Sequence, residues 1–309
     1  MKIYCLVTDA FGGHGGISVY NKDLLTAFSE DSKVTDVYVV PRVIQNDTGL
    51  IPDKIHFRQK GAYGKLAFMA TIIADLPRIA RSDFIYCGHL NFAPLARKRG
   101  ELFKIPVLGA LYGIEAWTPS SSSKRRVASA QLDYYYAISA YTRDRFREWS
   151  GVSEDKIALH PNAIHLDEYA KDKDSSAIQK KLNIVGRRVI LTFGRLVSRE
   201  RAKGFDEVLD ILPNLLNEFQ DLIYVIAGDG PDRTRLEARV IAEGLKDHVV
   251  FTGYVEENEK VALYQAASLY VMPSRGEGFG FVFLEALANG VPVVASSTDG
   301  SRDAVRDGL

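Results

Sequence analysis

The stretch PSRGEGFGFVFLEALANGVPVVAS, residues 273–296, constrains the fold more than any other part of the chain. An apolar run, 269–272, leads into it, and the loop 274–280 carries Gly276, Gly278 and Gly280. Phe281, Leu284, Glu285, Leu287 and Ala288 then recur at helical spacing in good helix formers. Asn289-Gly290 is a helix stop, and 291–295 is a second short apolar run. A strand apolar on both faces belongs in a parallel sheet, and parallel neighbours need a crossover, here the helix. The stretch therefore predicts an α/β fold.

The same alternation runs through the whole chain. It predicts strands over 2–8, 35–41, 53–58, 83–87, 134–138, 188–192, 222–227, 249–254 and 269–272, and helices that include 64–81, 205–219 and 257–267. At 309 residues the chain exceeds one core and predicts two doubly wound parallel-sheet domains, 1–168 and 169–309, with a cleft between them. The charged run 170–182 reads as a linker followed by a helix that opens the second. Equal counts of 39 basic and 39 acidic residues leave no net field to attract nucleic acid. Cys5 and Cys87 lie in apolar strands without metal spacing and suggest a reducing compartment. No signal peptide or membrane-spanning run is visible, which predicts a cytoplasmic protein.

The chemistry gathers where strands end. A helix N-terminus is a natural anion site. Glu277 stands before one and Glu285 inside the same helix, with seven residues between them. Carboxylates suit sugar hydroxyls rather than phosphate, so one could hold a ribose and the other a transferred sugar. The plain alternative is a helix cap and a solvated helix residue. Phe193-Gly194-Arg195-Leu196 follows strand 188–192, and Lys203-Gly204 comes eight residues after Arg195. Such cations would neutralise a diphosphate without a metal, or else Arg195 is structural; Arg199 or Arg201 could replace Lys203. After the first strand, Gly12-Gly13 and Gly15-Gly16 open a helix but do not spell a dinucleotide fingerprint. Tyr112, Glu115 and Trp117 form a polar–aromatic cluster expected to face the cleft as an acceptor surface, or simply to pack a loop. Ser120–Ser123 with Lys124-Arg125-Arg126 is either a solvated loop and helix start or a weak contact for anionic lipid at the inner membrane surface.

The pattern E-G-F-G-x-x-x-x-E-A-x-A-x-G-x-P-V-V-A, with G-R-L…K-G and G-D-G before it, resembles retaining GT-B glycosyltransferases, especially glycosyltransferase family 4. The resemblance runs along the whole chain and is strongest over 188–300. It implies two Rossmann-like domains, an acceptor side first and a nucleotide-sugar side second. It implies a donor site at Gly15, Gly16, Arg195, Lys203, Gly253, Tyr254, Glu277, Gly278, Phe279, Gly280, Phe281 and Glu285. His89, after strand 83–87, stands where the family places a histidine beside the transferred sugar. Catalytic roles would fall to His89, Arg195, Lys203 and Glu277, with no cofactor and no metal. The segment HPNAIHLDEY, 160–169, resembles the family's P-N-G-V-D boundary, with Ala163 and His165 in place of Gly and Asp. Tyr112-Gly113 replaces the usual His-Gly.

The implied activity is hexosyl transfer, with retention, from a UDP or GDP sugar to a glycan, lipid-linked or small-molecule hydroxyl. Alternatives are a nucleotide-sugar 2-epimerase of the same fold, or a nucleotide-sugar-binding protein without turnover. The family pattern continues beyond Leu309, so the second domain is expected to be incomplete, the chain truncated and its domains free to move.

Overall fold

The computed structural model describes residues 1–169 and 174–306. The chain forms two compact units, Met1–Asn162 and Ala163–Leu309, parting inside the segment 160–169 and six residues before the boundary read from the sequence. Within the run 170–182, read as a linker followed by a helix, the helix is Ser176–Lys181; residues 170–173 and the chain end at 307–309, on which the expectation of truncation rests, lie outside the described residues.

The first unit holds seven strands: β1 (Lys2–Val7), β2 (Asp36–Pro41), β3 (Ile55–Phe57), β4 (Phe84–Cys87), β5 (Val107–Leu111), β6 (Tyr134–Ala137) and β7 (Ile157–Leu159). They pair in parallel in the order β3-β2-β1-β4-β5-β6-β7. The order reverses between β1 and β4, and the crevice beyond the carboxyl ends at such a switch point is where open α/β sheets bind ligands. The Gly-rich loop after β1 and His89 after β4 both lie there.

The second unit repeats the design with β8 (Arg188–Phe193), β9 (Leu222–Ala227), β10 (Val249–Gly253), β11 (Leu269–Met272) and β12 (Val293–Ala295). Its parallel order is β10-β9-β8-β11-β12, with the switch point between β8 and β11. Strand side chains alternate between two apolar cores. Val189, Leu191, Ile223 and Val225 enter one with Phe283, while Ile190, Tyr224 and Ile226 enter the other with Leu209 and Leu212. A sheet covered on both faces explains why its strands read as unbroken apolar runs.

One expected element is divided. In place of a helix over 64–81 there are two, Lys65–Ala74 and Leu76–Ile79. Pro77 removes a backbone N–H and disfavours helical geometry before it, so the chain turns at Asp75. The buried Asp75 carboxylate is held by Arg78 at 2.7 Å and Arg58 at 3.1 Å. Cys5 and Cys87 are buried and unpaired, and burial pushes the Cys87 thiol up to about 12.

Candidate active site

The second unit brings one cationic and one acidic candidate, Lys203 and Glu277, into contact. Gly204, at φ 89°, opens the helix Phe205–Glu218 and presses on the loop after β11: an added Cβ would lie 2.7 Å from the Pro273 ring. The Arg275 N–H donates to the Ala202 carbonyl at 2.6 Å, a second tie between the two loops. Lys203 is thereby delivered to Glu277, with Nζ 2.5 Å from Oε2 and both side chains mostly buried. The stretch Ser198–Lys203, longer than the family spacing, is a 3-10 turn. The side chains of Arg199 and Arg201, read as possible substitutes for Lys203, lie outside the described residues.

Arg195 follows β8 as an exposed side chain. Backbone hydrogen bonds hold its loop. Gly194 N–H donates to Ala227 O, and Leu196 N–H to Asp229 O. A Cβ on Gly228 would sit 2.1 Å from Gly194 O, and one on Gly230 would sit 2.2 Å from Leu196 O. The G-D-G element is therefore the floor on which the Arg195 loop rests. The Gly253 carbonyl accepts from Gly228 N–H at 3.0 Å and from the Thr252 hydroxyl at 2.7 Å, while Tyr254 beyond it is exposed.

Gly280, at φ 95°, caps the helix Phe281–Ala288 with no side-chain hydrogen bond, leaving amides of the first turn for another partner. Gly278 and Phe279 are buried and Phe281 half-buried. Glu285 is not the solvated helix residue of the plain reading: it is 4% exposed. Tyr264 donates to its Oε2 at 2.7 Å, and Lys260 and Tyr169 donate to Oε1 at 2.7 and 3.2 Å. Asp299, fully buried, accepts from the Ser274 hydroxyl and the Glu277 N–H at 2.7 and 2.8 Å.

In the first unit the two glycine pairs separate. Gly12 is packed, and a Cβ there would meet the Asn46 carbonyl at 2.5 Å; one on Gly13 would meet Ser18 Oγ at 2.3 Å. Gly15 and Gly16 are exposed at the start of the helix Gly16–Glu30, and a Cβ on Gly15 would touch nothing within 4 Å. Ser18 and Asn21 from that helix bind the carbonyls of Ala10 and Asp9, holding the loop.

His89 Nδ1 accepts the Asn91 N–H at 3.0 Å, so in the neutral ring Nε2 carries the proton. Burial, with the Arg125 charge second, lowers its pKa from 6.5 to about 4. Arg125 belongs to the helix Ser123–Ser129, whose N-terminus Ser122 caps, so the polar run 120–126 is a loop and helix start.

The acceptor cluster is placed differently from its sequence reading. The Tyr112 ring is buried instead of facing outward. Its hydroxyl contacts Tyr86 and Tyr136 at 2.7 and 3.3 Å and donates to Asn21 Oδ1 at 2.8 Å. Burial raises all three phenols. Glu115 turns back to accept the Tyr112 N–H at 2.7 Å, and burial raises its pKa against that bond. Trp117 Nε1 donates to Thr142 Oγ1 at 3.1 Å. The sequence reading missed Asp299, Lys260, Tyr264 and Asn21. Only Lys260 and Tyr264 left a trace, as polar residues one helical turn apart.

Among the described residues no helix is long and apolar enough to cross a membrane. Residues 174–309 match the family model described as glycosyl transferases group 1. The chain is 33% identical over 226 residues to the GDP-mannose-dependent alpha-(1-6)-phosphatidylinositol monomannoside mannosyltransferase of Mycolicibacterium smegmatis, covering 70% of this chain and 57% of that one. It is 29% identical over 170 residues to the alpha-D-kanosaminyltransferase of Streptomyces kanamyceticus, covering 54% and 43%. The chain thus spans less than two thirds of the length of these relatives. The crystal structure of Anabaena HepE in complex with UDP-glucose has the same fold, with TM-score 0.79 at 22% identity, over 100% of this chain and 84% of that one. The fold class is the GT-B type of paired Rossmann-like sheets that the sequence predicts.

Proposed function

We propose that the chain, whose residues 174–309 match the glycosyl transferases group 1 model, moves a hexose from a nucleoside-diphosphate sugar to an acceptor hydroxyl. The Lys203–Glu277 pair carries this reading: a cation and a carboxylate in contact at a switch point, beside the Arg195 loop and the open start of the helix Phe281–Ala288. A leaving diphosphate needs positive charge and oriented N–H groups, and a hexose needs a fixed acceptor for its hydroxyls. Relatives and fold neighbours named for GDP-mannose and UDP-glucose support a purine or pyrimidine diphosphate donor.

In this reading Arg195 and Lys203 neutralise the diphosphate without a metal, aided by the amides of Gly280 and Phe281. Glu277, released in part from Lys203, accepts from the hexose hydroxyls. Glu285 accepts from the ribose, for which the longer Tyr169 bond is the one to exchange. Gly15 and Gly16 bring open amides to the donor, and Gly253 with Tyr254 cradle the base. His89, neutral, donates through Nε2 to the sugar. The leaving phosphate takes the acceptor proton during attack from the same face, which retains the anomeric configuration. The acceptor is a glycan, a lipid-linked sugar or a small molecule, met at the cytoplasmic side of the membrane or in solution.

A thermal-shift screen against UDP, GDP, ADP and their hexose conjugates tests the proposal, because a ligand bound only by the folded state raises the melting temperature. One nucleotide should stabilise the protein, and Arg195→Ala should abolish the shift. No shift with any of them, or a shift indifferent to Arg195→Ala and Glu285→Ala, overturns it.

A further inference from the structure

We infer that Asp299 is a positioning residue for Glu277, an assignment that rests on reading Glu277 as the carboxylate that meets the donor hexose. Asp299 lies in the turn between β12 and the short helix Ser301–Ala304, with no exposed surface. Its Oδ2 accepts from the Ser274 hydroxyl at 2.7 Å and the Glu277 N–H at 2.8 Å. Its Oδ1 accepts from the Ser301 N–H at 3.0 Å. The next residue, Gly300, donates its N–H to the Glu277 carbonyl at 2.8 Å. Glu277 is therefore held at both of its backbone groups by consecutive residues of another loop, and at its side chain by Lys203.

Contact between the loops is tight enough to exclude a side chain. A Cβ on Gly300 would lie 2.0 Å from the Gly278 carbonyl oxygen. The loop 274–280, with glycine at 276, 278 and 280, has many backbone states open to it, and a glycine-rich loop does not select one by itself. A buried carboxylate is costly unless its oxygens are satisfied, and bonds from N–H and O–H to a charged oxygen are short and strong. Asp299 spends that strength on the peptide that carries Glu277, so the loop is fixed from behind while the Glu277 carboxylate stays at the front.

Asp299→Asn keeps the size, removes the charge and sets an NH2 group against an N–H or O–H donor. Affinities for UDP and UDP-glucose, and for GDP and GDP-mannose, are measured by calorimetry in the wild type, Glu277→Gln, Asp299→Asn and the double variant. If Asp299 acts through Glu277, Asp299→Asn costs the hexose-dependent part of the affinity about tenfold, as Glu277→Gln does, and the double variant is no worse than Glu277→Gln alone. Affinity for the bare diphosphate stays within about twofold. Equal losses for diphosphate and conjugate, or losses that multiply in the double variant, overturn the assignment and leave Asp299 a structural carboxylate.

Amide hydrogen exchange reads the same relationship without a donor. Asp299→Asn must speed exchange at Glu277 by about tenfold relative to amides of β8, and unchanged protection at Glu277 overturns the inference. If neither conjugate binds the wild type, the reading of Glu277 as a hexose contact fails on its own, and the exchange result alone decides whether Asp299 fixes its backbone. Should Asp299→Asn fail to fold, Ser274→Ala removes one donor to the same oxygen. A selective rise in exchange at Glu277 supports the inference, and its absence overturns it.

Discussion

Lys203 and Glu277 meet at 2.5 Å although 74 residues separate them, because Gly204 lets the loop after β8 press against Pro273. Each neutralises the other, so neither group is a free charge waiting for a ligand. A diphosphate would draw Lys203 and leave Glu277 for hydroxyls. Lys203→Ala should therefore weaken binding of UDP or GDP about tenfold and lower the melting temperature. Lys203→Ala with Glu277→Ala should melt higher than Lys203→Ala alone, since an orphaned carboxylate costs more than an absent pair. Calorimetry and thermal unfolding check both.

His89 sets a pH dependence with a definite sign. Its pKa is about 4 in the folded chain and 6.5 when unperturbed. Between these values the unfolded chain binds more protons, so stability is present above about 6.5 and is lost as pH falls towards about 4. Urea unfolding from pH 7 to pH 4 should show this loss, and His89→Gln should flatten it. The ring should remain a neutral donor throughout the physiological range.

Glu285→Ala leaves the Lys260 ammonium facing a hole in a largely buried setting, and the Tyr264 hydroxyl keeps only its longer bond to the Val282 carbonyl at 3.4 Å. Breaking such a pair from one side should cost about 3 kcal/mol, read from chemical denaturation. Glu285→Gln, which keeps an acceptor oxygen, should cost less. The loss of stability must be separated from the loss of nucleotide binding by measuring both on the same samples.

The two glycine pairs after β1 should respond in opposite ways. Gly12→Ala forces a Cβ into the Asn46 carbonyl at a φ of 76°, and should cost about 2 kcal/mol or more. Gly16→Ala adds a methyl group to an exposed first helical turn and should leave stability equal or raise it by up to about 1 kcal/mol. If the Gly15-Gly16 amides contact the donor, the same variant should weaken donor binding. Denaturation curves and donor affinities for the two variants decide it.

The strands and crossovers were legible because burial on both faces writes itself as apolar runs such as 222–227 and 269–272. The dense spacing of Glu277, Glu285 and the glycines was legible as a candidate site because these residues are neighbours along the chain. What was not legible depends on pairs distant in sequence. Asp299-Gly300 reads locally as an ordinary turn, and only folding sets it against Ser274 and Glu277. Tyr112 reads as a surface aromatic because its partners, Asn21, Tyr86 and Tyr136, come from three other elements. The helix break at Asp75 was visible in Pro77, but the apolar period outweighed it.

Those phenols also have a consequence for how the first sheet assembles. Tyr86 on β4 stands opposite Leu108, and Tyr136 on β6 opposite Ala110, with Tyr112 just past the end of β5. Their hydroxyls meet one another and Asn21 on a single face. A slip of one residue in either strand pairing would turn a phenol to the opposite face and strand its hydroxyl in apolar packing. Flat apolar strands would tolerate such a slip. The hydroxyl cluster works as a key that fits only one alignment, so the sheet's correct register is checked during assembly by groups that have no need to touch a substrate.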